Sequence, residues 1–411
     1  MPPTPPTPTG ETHKWEFKPR FRRNAFGWKS QPAITRIKQA VTEIKKVARK
    51  EPALAADGAV IFFEKIAPAI EHVDSSSGAI GSAIYRAIEE LVPIIAAPEV
   101  DEKTRRKWLD RLWAAHEADK MPYIERLADY WGELCASQKI ASFWADELIG
   151  MVRMIWSEGS SNRGHFHGTS ACLSSLYAAG RYDELLELLA LDRLNFWEYQ
   201  QFAVKALAAL GRKAEAIQHA ESCRGNWTSN ASVAQVCEEI LLGSGFADEA
   251  YSRYAIEANQ STTHLATYRA IAKKYPQKPA KEILNDLIDT TPGAEGKWFA
   301  TAKELGFLEL ALQLARKSPC DPRTLSRASR DFLDSDPAFA MCAGLSALQW
   351  IILGQGFEIT GSDIWDAFTN TMNAAEKVGE AEQIRALLKE EICSKLTTKN
   401  LVWQVLGKEL G

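Results

Sequence analysis

This chain of 411 residues lacks several patterns that would place it in a familiar class. Its most apolar window, residues 58–70, is interrupted by Glu64 and Lys65, and no stretch reaches the roughly 18 clean apolar residues of a bilayer span. Residues 1–10 also lack the charged-then-apolar order of a secretory signal. No transmembrane segment is expected, and the simplest interpretation is a cytoplasmic protein of bacterial type.

Cysteine is sparse, with seven residues that lie far apart. No two of them have the two-residue spacing that a zinc knuckle or a redox pair needs. Their odd number is typical of free thiols in a reducing compartment, where cysteine serves as a small core residue. We expect neither disulfides nor a cofactor.

Catalytic signatures are missing too. The glycine-rich stretches 78–83 and 354–361 lack the strand before and the helix after that a phosphate-binding loop requires. Adjacent carboxylates in helical segments point about 100° apart, so they do not converge on a substrate. His165 and His167 are the only closely spaced histidines and are weak candidates for a metal site. We lean towards a non-catalytic protein, with a metal-dependent enzyme as the less favoured alternative.

The pattern that is present is helical. From residue 52 onward, apolar residues recur every three or four positions, and the alternation of strands with hairpin turns does not appear. Breaks at Pro98, residues 119–122, Ser137 and residues 157–168 divide residues 52–160 into about five helices. The predicted fold class is all-α.

A repeat runs through the second half of the chain. Four fragments align on turn glycines, and each glycine precedes an apolar stripe on the following helix: Gly180, Gly211, Gly245 and Gly306. Proline supplies the break near residues 277 and 336, so the turns recur at intervals of 29 to 34 residues. A unit of two helices with this period resembles the tetratricopeptide repeat (TPR).

The resemblance covers roughly residues 165–345 and rests on the turn between the helices and the small residue that begins the second helix. The Trp, Leu-Gly and Tyr positions of the family's first helix, and its Pro at the repeat end, are not kept. The resemblance implies a right-handed superhelical stack of helical hairpins that binds a protein or peptide partner on its concave side. Stacking is also expected physically, because one amphipathic hairpin cannot bury its own apolar face.

We therefore predict four segments. Residues 1–33 form an extended Pro-rich and basic/aromatic arm, 34–160 an N-terminal helical region, 161–353 the TPR-like repeats, and 354–411 capping helices. The first helices of TPR-like repeats tend to line the concave surface. The groove candidates at such positions are Phe196, Trp197, Tyr199, Lys297 and Trp298.

The arm carries the strongest charge asymmetry. Residues 1–50 contain twelve Lys/Arg against three Glu, so they hold a charge of +9 in a chain of net charge −4. Aromatic and basic residues alternate within it, and the candidate partner-binding residues are Trp15, Phe17, Lys18, Arg20, Arg22, Arg23, Trp28 and Lys29. This mixture is typical of proteins that bind single-stranded nucleic acid.

Several interpretations of the arm stay open. Its aromatic residues either staple it onto the acidic helical body or contact nucleic acid, and an acidic protein or a membrane surface is a further possible partner. The predicted function is that of a helical-repeat interaction or scaffold protein that binds a protein or peptide. The alternative is a nucleic-acid-binding accessory factor that uses residues 13–50.

Overall fold

The computed structural model describes residues 13–157, 166–193, 195–225 and 228–410. The chain divides into two compact units, Met1–Ile240 (the N-terminal unit) and Leu241–Gly411 (the C-terminal unit). The described residues form helices and no strand, which confirms the all-α class. Within the same ranges, no helix combines the length and the apolarity that crossing a bilayer requires.

The helices of the N-terminal unit are interrupted by two 3₁₀ segments, Lys18–Arg20 and Glu125–Tyr130. The α-helices are α1 (Ser30–Ala48), α2 (Pro52–Ile70), α3 (Ala79–Ala96), α4 (Glu102–Glu117), α5 (Trp131–Cys135), α6 (Gln138–Trp156), α7 (Thr169–Ala178), α8 (Tyr182–Leu189), α9 (Trp197–Ala209), α10 (Lys213–Ser222) and α11 (Asn230–Leu242). The five helices α2 to α6 confirm the number predicted for residues 52–160. The division between the units falls within α11, inside the segment predicted as one repeat array, so the continuity of that array stays a prediction.

The C-terminal unit begins with one helical stretch in which a π-helical turn, Tyr251–Ala255, joins α12 to α13. Its helices are α12 (Ala247–Ala250), α13 (Ile256–Ala258), α14 (His264–Lys274), α15 (Ala280–Asp289), α16 (Phe299–Glu304, after the 3₁₀ segment Glu295–Trp298), α17 (Leu308–Lys317), α18 (Pro322–Asp331), α19 (Pro337–Ile352), α20 (Gly361–Val378), α21 (Ala381–Lys395) and α22 (Leu401–Leu410).

The predicted turn glycines lie between consecutive helices. Gly180 and Gly211 have φ of +74° and +80°, a left-handed conformation that favours glycine. The N–H of Arg181, one residue further on, donates to the carbonyl of Leu176 at 3.0 Å, a Schellman closure that satisfies the end of α7. The same bond recurs after each of the other three turn glycines, so the four predicted breaks are confirmed.

The apolar stripe after each turn is buried. The residues five positions after the four glycines, Leu185, Ala216, Ala250 and Ala311, are fully buried. Small residues at three of these positions let the second helix of a pair approach its neighbours closely. The predicted stripe is therefore confirmed.

Helix packing follows the chain order. In the N-terminal unit, α1 contacts α2 and α3, α2 contacts α4, α3 contacts α5, α5 contacts α7, and α7 contacts both α8 and α9. In the C-terminal unit, α17 contacts α19, and α18 contacts both α19 and α20. These helices thus cover their apolar faces with the next helix, the next but one, or both.

Tryptophan fills the space between helices in the N-terminal unit. Trp108, Trp131 and Trp144 are buried, and the Trp131 and Trp144 ring centroids are 5.0 Å apart. The Trp113 ring lies 5.3 Å from each of these two. This edge-to-face cluster confirms that the tryptophans before the repeat belong mainly to the core. None of the seven cysteines, all of which lie in the described ranges, forms a disulfide.

The described part of the arm is docked on α1 and α2 rather than extended. Its rings Trp15, Phe17, Phe21 and Phe26 are 2% to 4% exposed. Phe17 and Phe21 pack on Phe62 of α2, with ring centroids 6.3 Å and 5.5 Å away. We call these four arm rings and Phe62 the aromatic cluster.

Glycine makes room for the arm on α2. A Cβ at Gly58 would lie 2.1 Å from the Trp15 indole, so only glycine allows this ring to reach the helix backbone. The arm is also held by its main chain, because the Glu43 carboxylate accepts from the N–H groups of Glu16 (2.7 Å) and Phe17 (3.1 Å). The structure therefore fits the interpretation in which the aromatic residues staple the arm to the helical body.

The docked arm predicts a sharp contrast between its two tryptophans. Trp15→Ala removes a buried ring and should lower the free energy of unfolding by about 3 to 5 kcal/mol. Trp28 is 71% exposed, so Trp28→Ala should change it by less than about 0.5 kcal/mol. Urea unfolding followed by circular dichroism measures both variants. Equal stability of the two would contradict the docked arrangement.

Candidate functional site

The N-terminal unit contains a groove of about 730 Å³. Its walls come from α3, the 3₁₀ segment before α5, the start of α7, the start of α9, and α11. We call it the alternate-helix groove. Its aromatic residues are Tyr85, Phe166, Phe196, Trp197 and Tyr199, and its charged or titratable ones are Glu125, Arg126, Asp129, His167 and Glu198.

A close ring contact positions the edge of the groove before α7. A Cβ at Gly168 would lie 2.5 Å from the Phe166 ring and 3.1 Å from Trp113. Phe166 therefore folds back over the glycine and packs towards the tryptophan cluster. His167, between them in sequence, is left exposed at the groove.

The start of α9 supplies the aromatic wall. Asn195 has φ of +49°, a left-handed conformation that asparagine tolerates, and it turns the chain into the helix. The carbonyl of Phe196 accepts from the N–H of Tyr199 at 2.9 Å, which fixes these two rings with centroids 6.3 Å apart. Trp197 also lines the groove but is only 7% exposed. The groove candidates at α9 therefore separate into two accessible rings and one core ring.

Burial and neighbouring charge set the protonation of the aromatic wall. Burial, followed by the charges of Glu125, Asp192 and Glu198, raises the pKa of Tyr199 to about 12, while a hydrogen bond with Thr169 acts the other way. The phenol therefore stays neutral at physiological pH. It presents a hydroxyl and a ring face, not a charge.

A half-buried carboxylate lies on the floor of the groove. Burial raises the pKa of Asp129, and Ser170, Arg126 and Lys205 oppose that shift. Arg126 Nε lies 3.5 Å from Asp129 Oδ2, and the same guanidinium stacks over the Tyr85 ring at 5.0 Å. One arginine is thus shared between a carboxylate and a ring, and it does not neutralise the other acidic groups of the groove.

Lys205 on α9 is enclosed by acidic groups. Burial lowers its pKa, while the charges of Asp129, Glu239 and Glu133 raise it. Together with the groove-lining Glu198, these three carboxylates outnumber the two basic residues Arg126 and Lys205 around the groove. The groove is therefore suited to a ligand that carries positive charge next to apolar surface.

Two histidine rings, those of His116 and His167, lie close together near the start of α7. His116 is 3% exposed, its ring stacks on Trp113, and its centroid lies 6.1 Å from that of His167. Neither ring nitrogen of His116 makes a hydrogen bond of normal geometry, although the Glu125 backbone comes near enough to influence its pKa. Burial is the dominant influence and lowers that pKa, so the native ring is neutral.

The histidine pair does not form a recognisable metal centre. His165, a weak sequence candidate, lies outside the described residues, and His167 is exposed at the groove. Among the residues that the structure does describe, no group of three or more His, Cys, Asp or Glu side chains is arranged to hold a metal ion.

The remaining groove candidates lie in the C-terminal unit and differ from each other. Trp298 is 3% exposed, and its indole N–H donates to Thr291 Oγ1 at 2.9 Å. The His264 ring meets it edge-on at 4.5 Å. Of the two groove candidates in this unit, Lys297 is exposed and Trp298 is not. Trp298 is a core residue there because its ring faces the preceding helices, a direction that helical spacing alone does not give.

The arm candidates also separate by exposure. Trp15 and Phe17 belong to the aromatic cluster and offer no free ring face, whereas Trp28 is exposed. Arg23 pairs with Glu71 at 3.1 Å. The other basic candidates, Lys18, Arg20, Arg22 and Lys29, are exposed.

Sequence reasoning missed much of the groove. Tyr85 lies off the apolar stripe of α3. An aromatic residue at a solvent-facing helical position is a signal in the sequence from which this groove residue could have been predicted. Arg126 and Asp129 come from a 3₁₀ segment whose three-residue period was not considered. Their convergence with α9 depends on the tertiary arrangement.

Comparison with known proteins gives no relative for this chain. No family model matches it, and neither the curated proteins nor the solved structures give a significant match. The function must therefore be argued from the groove and the surfaces themselves.

The neutral, buried His116 predicts acid sensitivity. The unfolded ring titrates near pH 6.5, so below about pH 6.5 the unfolded chain binds more protons than the native one, and the free energy of unfolding falls. His116→Phe should flatten this fall between pH 7 and pH 5.5 in urea unfolding. The control His72→Gln alters an exposed histidine and should leave the slope unchanged. Identical slopes for both variants would contradict the assignment.

Proposed function

We propose that this protein is a non-catalytic helical-repeat interaction protein that binds an extended peptide segment of a partner in the alternate-helix groove. The observation that carries the proposal is the origin of the groove walls: α3, the 3₁₀ segment before α5, α7, α9 and α11 contribute them, while α8 and α10 contribute none. In a stack of hairpins, the first helices share one surface. We also propose that the helices stack on one another as a right-handed TPR-like superhelix.

The shape of the groove favours an elongated ligand. Packed helices lie about 8 to 10 Å apart, so a ligand that touches α3, α7, α9 and α11 must extend across several helices. An extended peptide has this form, and its alternating side chains reach both walls. The groove offers hydrogen-bonding side chains along its length, among them Ser170, Gln201, Ser232 and Gln235.

The chemistry of the groove favours a peptide with a lysine or arginine next to an apolar residue. Phe196 and Tyr199 supply ring faces, and Asp129 and Glu198 supply negative charge. A cation that lies between aromatic rings and carboxylates gains from both. An acidic peptide would instead meet unfavourable charge.

A selection from a random-sequence peptide display library, followed by fluorescence anisotropy of the selected peptides, tests this function. We expect enrichment of Lys or Arg beside aromatic or aliphatic residues. Phe196→Ala and Tyr199→Ala should each weaken binding at least fivefold, which corresponds to about 1 kcal/mol for an aromatic anchor. Phe357→Ala is the matched control, because Phe357 is a 79% exposed phenylalanine of the C-terminal unit.

Charge is tested separately. Glu198→Gln should weaken the binding of a lysine-containing peptide more than the binding of the same peptide with methionine in place of that lysine. The proposal is wrong if no peptide is enriched, or if the Phe196 and Tyr199 variants bind as tightly as Phe357→Ala does.

A further inference from the structure

The N-terminal unit carries a row of uncompensated positive charge on the arm. Of the arm's cations, Arg23 is held by Glu71. The other five are exposed, and no ion pair to them is found within the described ranges: Lys14, Lys18, Arg20, Arg22 and Lys29. Because the aromatic residues between them point into the core, these cations are turned outward.

Helix α1 carries a second row. Its apolar residues Ile34, Ile37, Val41 and Ile44 are buried. Its exposed side and the two residues that follow it present four further cations for which the described residues supply no ion-pair partner: Lys38, Lys46, Arg49 and Lys50. The remaining basic residues of α1 are engaged, since Lys45 pairs with Glu90 at 2.7 Å and Arg36 donates to the carbonyl of Ala25 at 2.8 Å.

The two rows run side by side. The start of the arm is tied to the later half of α1 through Glu43, and Ala25 is tied to the earlier half through Arg36. The arm is therefore antiparallel to α1, and we call the combined cations of both rows the basic face. Glu16 and Glu43 are the only carboxylates of the segment 13–50, and Glu43 is occupied by the arm's N–H groups. This face is positively charged in a chain whose net charge is −4.

The exposed side chains around these cations decide which polyanion fits. Single-strand binding requires several accessible rings for successive bases, but four of the arm's five aromatic rings are buried. Membrane binding requires an accessible apolar face, but the apolar side of α1 is covered by α2 and α3. Polar residues such as Thr35, Gln39 and Thr42 lie between the cations instead. A phosphate backbone needs only such cations and hydrogen-bonding groups.

We propose that the basic face binds the phosphate backbone of double-stranded nucleic acid without reading its bases. Helix α1 has 19 residues and extends over about 28 Å, close to one turn of a duplex. The binding is electrostatic, so it is steeply salt-dependent and indifferent to sequence. It involves none of the groove residues, and the two proposals can fail separately.

Fluorescence anisotropy of the full chain with labelled 20-base-pair duplexes of several sequences, across a series of salt concentrations, tests this inference. We expect equal affinity for all sequences and a linear fall of log affinity with log salt. Neutralising four cations of one row, either Lys18, Arg20, Arg22 and Lys29 or Lys38, Lys46, Arg49 and Lys50, each to Gln, should make that slope less steep by up to about 3.6.

The matched control neutralises four exposed cations of the C-terminal unit, Lys273, Lys281, Arg316 and Lys399, each to Gln, and makes the same change in net charge. It should retain the slope of the unaltered chain. Circular dichroism confirms that all three variants fold. An equal loss of affinity in the control, or no duplex binding at low salt, would overturn the proposal.

Binding to single-stranded nucleic acid and to phosphatidylserine vesicles tests the two rival partners. Trp28→Ala should leave duplex affinity unchanged, because a single exposed ring takes no part in backbone binding. Tighter binding to single strands that depends on Trp28, or binding to phosphatidylserine vesicles in place of the duplex, would also overturn the inference.

Discussion

The aromatic cluster is the constraint on which the other features of the N-terminal unit depend. Each buried ring contributes about 1.5 to 3 kcal/mol, and together they hold a segment with little regular secondary structure against α1 and α2. The cluster covers the apolar side of the first helix pair, as capping elements of helical stacks do. Because the rings of the cluster point into the core, the cations between them point outward. Burial of these rings therefore stabilises the unit and also creates the basic face.

The packing of α3 on α5, of α5 on α7 and of α7 on α9 has a second consequence. It brings residues from α3, α7 and α9 to one groove, which α11 also lines. The groove is thus a by-product of the helix packing that stabilises the unit.

The sequence predicted features that depend on local periodicity. The all-α class and the turns at Gly180 and Gly211 both follow from spacing along one or two helices. Spacing did not distinguish the buried Trp15 from the exposed Trp28, because that difference depends on Phe62 and Gly58, more than thirty residues away. The basic face likewise required knowing which cations were already paired.

Hydrogen–deuterium exchange of the arm's backbone amides tests the docked arm most directly. The amides of Glu16 and Phe17 donate to Glu43, and those of Asn24 and Phe26 donate to carbonyls at the end of α2. The account predicts that these four amides exchange slowly, with protection comparable to that of α2 itself. Exchange at the rate of an unstructured peptide, while α2 remains protected, would contradict it.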